Sequence, residues 1–201
     1  MEYAIVSIDV GRINLGYTIL SSKKSFRSMS KAPITDLSIN FGVRNIEDSK
    51  NPSDIVNKRC CAIQRMFEDI KARRNVEYVI IERQVPSALE NMCMMYAIDA
   101  LAHSIFGLAT DEVVIFDPKL KFTRLGLPCS NDYRTRKDDS VNICRAIFKG
   151  SSNTSALLNA FNVYDKKDDV ADSFNQAFTW LIEMKKIDFS FQRIRSLLPK
   201  D

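Results

Sequence analysis

Four carboxylates stand where a folded chain gains nothing by leaving them bare. Asp9 closes the run Tyr3 to Val10, Glu82 closes Tyr78-Val79-Ile80-Ile81, and Asp169 and Asp172 fall three apart in Lys166-Lys167-Asp168-Asp169-Val170-Ala171-Asp172. A charge at the end of an apolar strand is costly unless something uses it. Acids three apart at a helix start face the same way. Taken singly, Asp9 reads as a turn acid, and Asp169 and Asp172 as complements to a helix dipole. Together they make an all-oxygen site of the kind that holds Mg²⁺, because packed carboxylates repel one another and a divalent cation removes the conflict. The Lys-Lys-Asp-Asp run offers a second register, in which Asp168 replaces Asp169.

The elements that must bring these acids together can be read from periodicity. Tyr3 to Val10 alternates and is β-branched, Gly11 stops it, and Gly16 to Ser21 resumes, so residues 3 to 22 form a hairpin. Asp36 to Val43 supplies a third strand. Residues 44 to 53 are a loop ending at Ser53, an N-cap for a helix from Asp54 to Arg73 with Ile55, Val56, Ile63, Met66, Phe67 and Ile70 as its stripe. Val76 to Ile81 is the apolar run of a strand covered on both faces. Pro86 opens a long helix to Phe106, Val113 to Phe116 is a further strand, and Asp138–Phe148 and Asp169–Met184 are helices. Residues 150 to 167 read as a polar surface loop. The result is an α/β layered sheet with an antiparallel edge, in one domain over residues 1–201. Asp9 and Glu82 then sit at the ends of two central strands, where open α/β sheets collect ligands.

Composition narrows the function classes. No apolar run of about 18 residues exists to span a bilayer, and no membrane association is expected. The opening Met-Glu-Tyr-Ala-Ile-Val is neither a signal peptide nor an Arg-rich transit peptide, so a cytoplasmic location is expected. Five cysteines without metal-type spacing suit a reducing compartment, and His103 as sole histidine removes Cys/His zinc chemistry. Lys and Arg number 29 against 25 Asp and Glu, a net charge of +4. That is a mild pointer to a polyanion, and the basic residues cluster at Lys23–Lys31, Lys71–Arg74, Lys119–Arg124, Arg134–Lys137 and Lys185–Arg195.

Ser7-Ile8-Asp9-Val10-Gly11 with Leu15-Gly16-Tyr17, then Val79-Ile80-Ile81-Glu82-Arg83-Gln84, then Asp169-Val170-Ala171-Asp172-Ser173 resemble the three acidic motifs of RuvC-type Holliday junction resolvases of the RNase H-like superfamily. The Glu-Arg-Gln run before a long helix is most similar to the poxvirus and mitochondrial branch. The resemblance implies an RNase H-like fold with a five-stranded mixed sheet, three antiparallel strands then two parallel, flanked by helices. It implies a homodimer that resolves four-way DNA junctions by paired symmetric nicks in recombination and replication, at a viral replication site if of poxvirus type. It also implies two Mg²⁺ ions, with Mn²⁺ able to substitute, held by Asp9, Glu82, Asp169 and Asp172. Lys121, in Leu120-Lys121-Phe122-Thr123-Arg124-Leu125-Gly126, resembles the basic active-site residue, with Lys119 and Lys137 as rivals.

The helix from Pro86 to Phe106 has almost no polar face, which asks for cover on both sides. A second subunit would supply it, with Met95 and Ile98 as candidates to face the partner; residues 185 to 200 are the alternative cover. Asp99 and His103, at i and i+4, are spaced to pair structurally. Two other functions compete. Asp9-Val10-Gly11-Arg12 with Gly16 also resembles the YqgF-type ribonucleases, which are more compact and lack the Met-rich helix. A non-catalytic nucleic-acid-binding module would use the same basic clusters, but four acids facing a phosphate backbone weaken binding unless metal intervenes.

Overall fold

Alternation along Tyr3 to Val10 sends Ala4, Val6, Ile8 and Val10 to one side and Ile5, Ser7 and Asp9 to the other, and both sides are covered. In the computed structural model, which describes residues 1–11, 13–46, 52–149 and 154–189, this segment is β1 (Glu2–Val10). It is the middle strand of a five-stranded sheet ordered β3-β2-β1-β4-β5. Strand β2 (Asn14–Ser22) pairs antiparallel with β1, β3 (Ser38–Asn45) pairs antiparallel with β2, and β4 (Arg74–Glu82) and β5 (Val113–Phe116) run parallel to β1. This is the RNase H-like sheet that the motifs imply.

Helices α1 (Pro52–Lys71) and α2 (Leu89–Phe106) cover one face, where Ile63, Met66, Phe67 and Ile70 meet Val6, Ile8 and Val79. The other face is covered by α3 (Leu120–Thr123), α4 (Tyr133–Lys149), α5 (Thr154–Asn162) and α6 (Lys167–Glu183), built on Phe148, Phe161, Phe174 and Phe178. A β-bulge sets the phase of β4. Ala4 pairs with Val76 but Ile5 with Tyr78, so Glu77 is the extra residue. Val76 and Val79 both reach the α1/α2 core, while Ile80 and then Glu82 point to the α6 side with Asp9. Glu77 is itself buried; its carboxylate accepts from Ser25 Oγ (2.5 Å) and the Phe26 N–H (2.6 Å), tying the loop after β2 to the base of the sheet.

Several boundaries differ from expectation for local reasons. Helix α1 starts at Pro52, so Ser53 lies inside it; the side chains of Ile55 and Val56, like Arg12 and residues 190–201 with part of the last basic cluster, fall outside the described residues. Helix α2 starts at Leu89, after a turn closed by the Ala88 N–H on the Val85 carbonyl. Helix α4 starts five residues before Asp138, because Asp132 Oδ2 accepts from the Thr135 N–H (2.7 Å) and Oγ1 (2.9 Å) and caps it earlier. The stretch 150–167 is not simply a surface loop. It contains α5, whose Leu157, Leu158 and Phe161 recur at helical spacing, and Phe161 is fully buried edge-on to Phe41 and Phe148.

One side of α2, with Met94, Met95, Ile98 and Ala102, is buried against the sheet, so Met95 and Ile98 face the core and not a partner. Its other side leaves Leu89, Cys93, Tyr96 and Ala100 exposed. Residues 185–189 do not cover it. They lie on the α6 side, with Ile187 bridged to Ala32 and Phe189 edge-on to Phe178. Asp99 Oδ1 is 3.6 Å from His103 Nε2, and His103 Nδ1 is bonded to the Leu108 carbonyl, a structural pairing. Among the described residues no helix is long and apolar enough to cross a membrane.

Candidate active site

Asp9 and Glu82 leave from the carboxyl ends of two adjacent parallel strands at the centre of the sheet; continuing the register Ile8↔Ile81 sets them side by side. The third carboxylate comes from α6, and α6 can approach because of Gly16. A Cβ on Gly16 would lie 2.3 Å from the Asp169 carbonyl oxygen, so only a residue without a side chain lets the helix start rest on β2. Thr18 and Ser173, joined at 2.9 Å by their hydroxyls, hold the same contact. Carboxylate oxygens of Asp9, Glu82 and Asp172 consequently lie within 4.8 Å of one another.

Two ammonium groups face this trio. Lys121, on α3 and 3% exposed, donates to Asp172 Oδ1 at 2.6 Å and to Glu82 Oε2 at 3.4 Å. Lys137, on α4, donates to Asp172 Oδ2 at 3.0 Å and lies 3.2 Å from Asp168 and 3.6 Å from Asp169. Lys119 is exposed and forms no ion pair among the described residues. Ser140 Oγ completes the ring around Asp172 at 2.6 Å.

The charges separate the acids electrostatically. Burial, then the charges of Glu82 and Asp172, hold the Asp9 carboxyl well above the usual carboxylate range, against the pull of Lys121 and Lys137. Burial acts the same way on Asp172, but Lys121 and Lys137 outweigh it and push the carboxyl down to about 2. Burial alone would lower both lysines; Asp172, with Glu82 and Asp9 for Lys121 and with Asp9 and Asp168 for Lys137, instead raises both above the usual lysine range. Asp169 stands at the rim, outside the trio, its carboxyl raised by burial and by Asp168.

Three mutually repelling carboxylates, one of them held toward protonation, are a donor set that fits a hard divalent cation. Sequence reasoning missed the polar residues behind them. Ser140, Asn175 and Gln176 are fully buried: Asn175 donates to the Ser140 carbonyl (2.8 Å) and Oγ (2.9 Å), and Gln176 reaches the strands. The one signal for Asn175 and Gln176 is polar side chains recurring at 172, 173, 175, 176 and 179 in a helix otherwise rich in Phe and Ala, and Ser140, on α4, has none.

The fold is that of the RuvC-type Holliday junction resolvases. Fowlpox virus resolvase, in a crystal structure with its substrate Holliday junction DNA, is similar with a TM-score of 0.61 at 18% identity, over 90% of this chain and 98% of that one. Thermus thermophilus RuvC gives 0.58 at 15% identity over 91% and 97%. The yeast mitochondrial Holliday junction resolvase Ydc2 gives 0.58 at 18% over 96% and 82%. Over residues 3–184 the chain matches the poxvirus A22 protein, and it belongs to that family, the poxvirus resolvases. No curated protein matches it by sequence.

Proposed function

We propose that the protein is a Mg²⁺-dependent, structure-selective endonuclease that resolves four-way DNA junctions by paired symmetric nicks. The observation that carries this reading is the convergence of Asp9, Glu82 and Asp172 within 4.8 Å beside two protonated lysines, at the carboxyl edge of a resolvase-type sheet. Asp9, Glu82 and Asp172 would hold the metal, with Asp169 at the rim as the fourth carboxylate. When bound, a pair of Mg²⁺ ions supplies Lewis acidity for the attacking water and the leaving oxygen, a role Mn²⁺ can also fill.

The chain's own groups then have separate tasks. Lys121 keeps all its protons and presents a fixed positive charge to the phosphoryl oxygens as negative charge builds on them. Lys137 neutralises Asp172 and Asp168 and lowers the cost of bringing a phosphate backbone to an acidic cleft. Water attacks phosphorus, the P–O3′ bond breaks, and the products are a 5′-phosphate and a 3′-hydroxyl.

A junction needs two nicks, and α2 offers a surface for a second copy. Leu89 (70% exposed), Cys93, Tyr96 (58% exposed) and Ala100 recur at intervals of four, three and four, the spacing of a two-helix seam. Such an enzyme would work at the cytoplasmic site of viral replication, a reading supported by membership of the poxvirus A22 family.

The test is nicking of a four-way junction, linear duplex and RNA, with Mg²⁺ and with EDTA. Cleavage of the junction alone, lost in EDTA, in Asp9→Asn and in Glu82→Gln while junction binding persists, is expected. Wild-type rates in either variant, or a preference for RNA, would overturn the reading.

A further inference from the structure

Gln176 lies one helical turn beyond Asp172 on α6 and is fully buried. The two hydrogens of its amide nitrogen are shared among three acceptors, Ser7 Oγ (3.1 Å), the Ile8 carbonyl (3.3 Å) and the Ile80 carbonyl (3.1 Å). Ile8 directly precedes Asp9, Ser7 stands on the same face of β1 as Asp9, and Ile80 stands two residues before Glu82 on the same face of β4. One side chain from the helix that carries the third carboxylate thus grips both strands that carry the other two.

The orientation of the amide follows from its surroundings. Two main-chain carbonyls accept only, so turning Oε1 toward them would set three oxygens against one another. With the nitrogen inward, Oε1 is left buried without a hydrogen-bond partner among the described residues. A buried orphan acceptor is unfavourable, and a methionine would fill nearly the same volume without one. The bonds donated to Ser7, Ile8 and Ile80 and the orphan Oε1 work against each other, so net stability alone is a weak reason for an amide here. Its distinguishing property is that it fixes β1, β4 and α6 relative to one another just below the carboxylates.

We propose that Gln176 is a positioning residue that sets the spacing of Asp9 and Glu82 against Asp172, and through it the affinity for the divalent ion, without touching ion or DNA. The proposal rests on the metal-dependent nuclease reading above. Supporting partners of metal ligands commonly change affinity or activity by 10- to 100-fold.

The experiment compares wild type, Gln176→Met, Gln176→Asn, Thr179→Val and Asp9→Asn by Mn²⁺ titration, by kcat and KM on a four-way junction, by metal-free junction affinity and by melting temperature. Gln176→Met removes the donors, and Gln176→Asn keeps an amide too short to span both strands. Both should bind Mn²⁺ about tenfold more weakly and lose about tenfold in kcat, partly regained at high metal, with KM and metal-free junction affinity unchanged. Thr179→Val, another buried polar α6 residue without a partner among the described residues, should leave metal affinity at the wild-type value. Wild-type Mn²⁺ affinity in both Gln176 variants, an equal loss in Thr179→Val, or failure of both Gln176 variants to fold would overturn the proposal. Asp9→Asn separates the two readings: if it too binds Mn²⁺ and cleaves normally, the metal site itself is misassigned, whereas its inactivity beside normal Gln176 variants refutes only the positioning role.

Discussion

Lys121 Nζ lies 2.6 Å from Asp172 Oδ1, two buried opposite charges brought together from positions 51 residues apart. Removing one member of such a pair leaves the other charged in a poorly solvated place, which is worse than removing both. Asp172 keeps Lys137 and Ser140 as partners, so the loss is cushioned. Lys121→Met should cost up to about 3 kcal/mol in urea unfolding, and Lys121→Met/Asp172→Leu should recover much of it. Cleavage should fall at least about a hundredfold in both, as for loss of a group that meets developing charge. A Lys121→Met enzyme with normal nicking rates would show that the ammonium serves packing alone.

The approach of α6 to β2 rests on the missing side chain at Gly16. Gly16→Ala sets a methyl group 2.3 Å from the Asp169 carbonyl oxygen, a backbone atom that cannot swing aside. The helix must shift, at a cost of about 1–3 kcal/mol typical of an overfilled contact. Because Asp169 and Asp172 ride on that helix, nicking should fall more steeply than stability. Unchanged melting temperature and rate in Gly16→Ala would contradict the close contact.

Tyr96 is exposed at the middle of the apolar stripe on α2, whereas Met95 beside it is 4% exposed and faces the sheet. Tyr96→Glu should therefore yield a folded monomer and Met95→Glu a misfolded chain. Light scattering and circular dichroism distinguish the two. On a junction, the Tyr96→Glu monomer should produce single nicks in place of paired ones. A wild-type monomer that still makes paired nicks would remove the seam on α2.

How much of this was legible in the sequence depends on the range of the contact involved. The strands followed from alternation within β1 and from the apolar run of β4, and the acids followed from charges at strand and helix ends, all features within a few residues. The start of α4 was misread because the capping side chain, Asp132, sits in a polar run where one more acid carries no signal. Helix α5 was misread because polar residues around Leu157, Leu158 and Phe161 masked a short stripe. Asn175 and Gln176 show in the sequence only as part of a polar recurrence along α6, and Ser140 on α4 does not show at all. Their value lies in partners on other elements, such as Ser7 for Gln176, and nothing in the local pattern of α6 names those partners. Likewise Lys121 and Lys137 looked like rivals for one position in the sequence, and the fold brings both to Asp172.

Ser7 and Gln176 are 169 residues apart, and α6 is the last helix described. A chain emerging from the ribosome folds from its N-terminal side as it is made. A nascent chain through residue 160 already has Asp9 and Glu82, yet it has neither Asp172 nor the helix that aligns them. With the site proposed above, the ability to cut DNA would be withheld through most of translation and would arrive only when α6 docks, so incomplete products of synthesis would carry the strands of a nuclease without its activity.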